Sequence, residues 1–89
     1  MSAENLIRLA NLRSATRSGA ARSLRMAAGL SLREVAGSIG VGVPTLWRWE
    51  TNDRVPRNSA AALRYADLLD ALANRNRPRR RQKGAAMAD

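Results

Sequence analysis

The chain of 89 residues carries 16 Lys and Arg against 7 Asp and Glu, with no His and no Cys, for a formal charge of +9. A length this short admits one domain with a short extension, its core burying roughly 60 to 65% of the unfolded surface. The missing imidazoles and thiols exclude a disulfide frame, an ordinary zinc site and His- or Cys-based nucleophilic catalysis, and the charge points to a polyanionic partner.

Taken in chain order, Ser2 is placed to cap a first helix, with Glu4 in its first turn and Leu6, Ile7, Leu9 and Ala10 as a broad apolar face fading near Ser18 and Gly19. The same stretch contains Glu4, Asn5, Arg8, Asn11 and Arg13, which interrupt the apolar run that a signal peptide needs. No run approaches the roughly 18 to 20 apolar residues of a membrane span, so no membrane partner is expected. The expected location is the cytoplasm, or the host cytoplasm if the chain is phage-encoded. A second helix over roughly Ala20 to Ala28 sets Ala21, Leu24 and Ala28 at i, i+3 and i+7, and stops at Gly29. Ser31-x-x-Glu34 is a capping box that opens a third helix with Leu32, Val35, Ala36 and Ile39 turned inward, closed by Gly40. Pro44 suits the first turn of a fourth helix running to Glu50. After a polar loop, Asn58 or Ser59 caps a last helix carrying Leu63, Ala66, Leu69, Leu72 and Ala73, with Tyr65 on its flank.

Nothing alternates with period two over a useful length, so the expected fold is all-α, a compact bundle of about five helices. Composition shifts once, near residue 74. Arg75, Arg77, Arg79, Arg80, Arg81 and Lys83 face only Asp89 in the last stretch, which lacks the apolar residues to offset its ordering entropy and is expected to be disordered when free. The division is therefore an N-terminal helical extension over 1–18, a core domain over 19–74 and a basic tail over 75–89.

Two short helices joined by a tight glycine-containing turn, in a basic domain this small, suit insertion into a DNA groove. Ala36 is small where those helices cross, Gly40 sits where a positive φ is wanted, and Val35, Ile39, Val41, Leu46 and Trp49 supply the contacts that fix the crossing angle. On a 100° wheel, Leu46, Trp49 and Glu50 share one side of the fourth helix, while Pro44, Trp47, Arg48 and Thr51 share the other. The second set is the candidate DNA face. Trp47 suits apolar contact with a thymine methyl or the sugar-phosphate wall, and the Arg48 guanidinium matches a guanine edge.

The stretch over residues 21–72, with its Gly-Leu-Ser start, Ala and Gly spacing, Trp-Glu ending and later Pro, resembles the phage-repressor (Cro-like, XRE-type) helix-turn-helix family. The resemblance implies a lambda-repressor-like helix-turn-helix. It implies base contacts at Val43, Pro44 and Arg48, joined by Trp47 from the wheel, and phosphate contacts near Gly42 and Thr51. Arg54 and Arg57 fall in the loop where the family grips the backbone, and Arg33, Thr45 and Asn52 complete the expected backbone set. It also pairs Arg25 with Glu50 as a structural salt bridge. One departure is that Leu32 stands where many relatives carry a Gln that binds phosphate and base.

The resulting expectation is a sequence-specific regulator of transcription, a repressor in the first instance, without catalytic residues, metal, cofactor or small-molecule ligand. Its partners would be double-stranded DNA, gripped also by the tail arginines and Lys83, and a second copy of itself on a two-fold operator. The rivals are an excisionase-like architectural factor, an antitoxin with a protein partner, and a cationic RNA-binding protein. The last lacks the exposed aromatic platform of single-strand readers.

Overall fold

A computed structural model describes residues 2–75. Five α-helices make up the fold, with no strand among the described residues: α1 (Ala3–Ser18), α2 (Ala20–Ala27), α3 (Leu32–Ile39), α4 (Val43–Glu50) and α5 (Ala60–Arg75). The two long helices, α1 and α5, pack against each other along the bundle, and the three short ones fold across them.

The helix ends follow from local chemistry. The Ser2 hydroxyl accepts the Asn5 N–H at 3.1 Å to start α1, and Gly19, at φ 89°, ends α1 and begins α2 in one residue. The capping box is complete: Ser31 Oγ accepts from the Glu34 N–H at 3.0 Å, and Glu34 Oε1 accepts from the Ser31 N–H at 2.8 Å. Ser59 opens α5, its hydroxyl accepting from the Ala62 N–H at 3.1 Å.

The core draws on every helix: Leu9 and Leu12 from α1, Ala21 from α2, Val35, Ala36 and Ile39 from α3, Leu46 and Trp49 from α4, and Ala62, Tyr65, Leu69 and Leu72 from α5. Three expectations need correction. The inward stripe of α1 is Leu9, Leu12 and Thr16, whereas Leu6 and Ile7 are more than half exposed and Ala10 is exposed. Of the broad face expected at the start of α1 only Leu9 belongs to that stripe; Leu6 is turned about 90° from its middle, Ala10 about 130° and Ile7 about 170°. Thr16 can lie inside because its hydroxyl donates to the Arg13 carbonyl at 3.1 Å. Tyr65 is not on a flank but buried, its ring stacked on Trp49 with centroids 5.6 Å apart and planes at 21°. Arg75, expected to open the tail, is the last residue of α5.

Candidate nucleic-acid interface

The segment from α3 to α4 is a tight turn between two eight-residue helices. Gly40 takes φ 84°, which a side chain would resist. The N–H groups of Gly40 and Val41 both donate to the Ala36 carbonyl, at 2.9 and 3.0 Å. The Ile39 carbonyl, freed at the end of α3, is taken by Arg64 of α5, whose Nε and Nη2 donate to it at 3.1 and 2.9 Å. A Cβ on Gly40 would stand 3.0 Å from that guanidinium. Turn and last helix are thus tied together.

That turn fixes which side of α4 meets the core. Leu46, Trp49 and Glu50 are buried, while Pro44, Trp47 and Arg48 are exposed, Trp47 by 47%. Val43 and Thr45 are half-buried, and Val43 packs against the core, so only part of its side chain faces outward. Gly42 is exposed just before α4 in an extended conformation.

Glu50 is a carboxylate with a fully buried side chain, and Arg25 makes its burial tenable. The Arg25 Nε donates to Glu50 Oε2 at 2.6 Å and Nη2 to Oε1 at 3.0 Å, while Nη1 donates to the Leu30 carbonyl at 2.8 Å. The hydrogen bonds it donates to Glu50 hold the Arg25 pKa above its ordinary value against the opposing effect of burial, so the guanidinium stays charged. Behind it, burial first and the Glu50 charge second push the Tyr65 phenol up.

Past α4 the chain turns through Asn52, whose φ of 62° is left-handed. The N–H groups of Asp53 and Arg54 donate back to the Arg48 carbonyl at 2.9 and 3.2 Å, and that of Asn52 to Trp49 at 3.2 Å. The Thr51 hydroxyl donates to the Trp47 carbonyl at 2.9 Å and would have to rotate outward to reach a phosphate. Arg33, Arg48, Arg54 and Arg57 are exposed, and their side chains make no hydrogen bond among the described residues. By contrast, Arg8, Arg13, Arg25 and Arg64 all turn onto protein acceptors. Arg77, Arg79, Arg80, Arg81 and Lys83 lie outside the described residues.

Sequence reasoning missed three of these inward arginines. Arg8 forms an ion pair with Asp67 at 2.7 Å, Arg13 holds the Pro56 carbonyl, and Arg64 holds the Ile39 carbonyl. Their partners lie 59, 43 and 25 residues away. No local pattern announces such pairs.

Among the described residues no group of His, Cys, Asp and Glu is placed to hold a metal ion, and no helix is long and apolar enough to cross a membrane. The family model for a helix-turn-helix domain matches residues 18–78, about two thirds of the chain. No curated protein and no solved structure matches it.

Proposed function

This chain belongs to the family of helix-turn-helix domains, which bind DNA and are typically not enzymes, and on that premise we propose that it is a sequence-specific repressor of the Cro-like, XRE type. In this reading α4 enters the major groove with Pro44, Trp47, Arg48 and the outer part of Val43 toward the base edges. Arg33, Gly42, Thr45, Thr51, Asn52, Arg54 and Arg57 meet the backbone on either side. The observation that carries the reading is the exposed side of α4, where a tryptophan 47% open to solvent adjoins an arginine whose side chain has no partner among the described residues, in a chain of net charge +9. A solvated indole beside an unpaired guanidinium suits a groove wall and a guanine edge.

One α4 covers only a few base pairs, so we place two copies on a two-fold operator, with the tail from Arg75 to Lys83 along the phosphates. Repression follows if that operator overlaps a promoter.

Selection of duplexes from a randomised pool, followed by titration across salt concentrations, tests this. A recurrent two-fold motif is expected, with a log–log salt slope of about −0.9 for each of roughly four to eight phosphates per monomer. A pool without a shared motif overturns sequence-specific binding. A flat salt response overturns DNA binding altogether.

A further inference from the structure

We propose that Arg13 is a positioning residue for the DNA contact: through it, α1 holds the loop that presents Arg54 and Arg57. The proposal rests on the assignment of that loop to the phosphate backbone. It makes α1 a working part of the interface as well as a cover for the core.

The loop over residues 51–59 is fastened at both ends by its neighbouring helices. Its first part is tied to α4 through the N–H groups of Asn52, Asp53 and Arg54, and its last residue, Ser59, caps α5. Between them, over residues 55–58, one hydrogen bond involves the loop among the described residues. The Arg13 Nε donates to the Pro56 carbonyl at 2.9 Å. Pro56 is fully buried, whereas Val55 on one side is 55% exposed and Arg57 on the other is exposed. A proline has no N–H, so its carbonyl is the only backbone group by which this residue can be held. A half-buried guanidinium supplies a charge-assisted donor.

The two arginines on the loop and the one beneath it thus have different work. Arg54 and Arg57 are exposed, their side chains without an acceptor among the described residues, and Arg13 has its Nε committed to the backbone between them. Arg13 also lies upstream of the matched helix-turn-helix stretch, which begins at residue 18. The loop is therefore supported from outside that stretch. Without the bond the Pro56 carbonyl loses its donor, and ordering the equivalent of one residue on binding lowers affinity by about 5- to 30-fold.

The test is a double-mutant cycle on the full chain, read by titration of a selected duplex. Arg13→Met keeps an unbranched aliphatic stem at this half-buried position and removes the donor. It should weaken binding about 5- to 30-fold with the salt slope unchanged, because the same phosphates are met in the complex. In an Arg54→Ala/Arg57→Ala background the same substitution should weaken binding less than about twofold, since nothing remains for the loop to present. Amide exchange should quicken at Arg54, whose N–H is the bonded one next to the loop, and not in α3, which general destabilisation would not reproduce. An equal loss in both backgrounds overturns the proposal, as does a slope shallower by about 0.9, which would make Arg13 a phosphate contact. If Arg13→Met fails to fold, Arg13→Lys is read by the same criterion: a loss confined to the intact loop supports the proposal, and an equal loss overturns it. If Arg54→Ala/Arg57→Ala binds like the wild type, the loop does not touch DNA, and that failure belongs to the reading of the interface.

Discussion

The two sides of α4 are built from the same kinds of residue and do opposite work. Trp49 and Glu50 lie inside, one stacked on Tyr65 and the other clasped by Arg25. Trp47 and Arg48, each two positions earlier, lie outside with no hydrogen-bond partner for their side chains among the described residues. An indole and an ionised group therefore say little by type. Helical phase, set by the Gly40 turn and the burial of Leu46, decides which pair stabilises the fold and which is left for a ligand.

The inner side should break first. Replacing Glu50 by Ala leaves the Arg25 guanidinium buried without its counter-charge and should cost about 3 to 5 kcal/mol, a large part of what a domain this size possesses. Urea unfolding measures it. A melting curve unchanged from the wild type would mean that the ion pair contributes nothing to the fold. The outer side should answer differently: Arg48→Ala is expected to leave unfolding unchanged and to cost about 1 to 3 kcal/mol on the selected duplex, relaxing preference at one base pair per half-site. If random and selected duplexes weakened alike, Arg48 would be a phosphate contact, and Trp47, Val43 and Pro44 would have to supply the readout.

The turn that sets the phase can be tested on its own. Gly40→Ala forces a side chain into a left-handed conformation, at about 1 to 2 kcal/mol, and presses a methyl against the Arg64 guanidinium 3.0 Å away. Stability should fall by about that amount in urea. On the proposed interface, discrimination between duplexes should fall further than stability, because Arg64 joins the turn to α5 and a shifted turn would roll α4 relative to the bases. Discrimination that held constant would show that the turn does not govern the roll of α4.

Much of the architecture was legible because it is encoded over three or four residues. Ser31 with Glu34, Gly40 and Pro44 mark helix ends by local hydrogen bonds and backbone preference, and the two sides of α4 follow from a wheel. The resemblance added Arg25 with Glu50, which spacing alone does not pair. What could not be read depends on packing between distant segments. Of the apolar face expected of α1, Leu6, Ile7 and Ala10 stay exposed and only Leu9 is buried, with Leu12 and Thr16 completing the stripe. Tyr65 looks amphipathic and lies beneath Trp49. The arginines defeated prediction most, since a side chain that holds a carbonyl 43 residues away has the same local sequence signature as one free for phosphate.

The smallest expected effect lies deepest on the inner side. The Tyr65 hydroxyl is buried with no hydrogen-bond partner among the described residues, while its ring stacks on Trp49. Removing an unsatisfied buried hydroxyl and keeping the ring should be neutral or stabilising by up to about 1 kcal/mol near neutral pH, so Tyr65→Phe tests whether the ring alone does the work. The alkaline range sharpens the result. Burial, reinforced by the Glu50 charge, raises the Tyr65 pKa in the folded state, whereas in the unfolded chain the phenol ionises near about 10. The folded state thus holds a proton that the unfolded state releases, and stability is full below that pH and falls as pH rises through and beyond it, at up to about 1.4 kcal/mol per unit. Tyr65→Phe should remove that fall. Urea midpoints for the two proteins should therefore run nearly parallel from pH 7 to 9 and separate above pH 10, the variant being the more stable. Midpoints that stayed parallel up to pH 11 would mean that the hydroxyl ionises as freely in the folded protein as in the unfolded chain, and that the space under Trp49 is open to water.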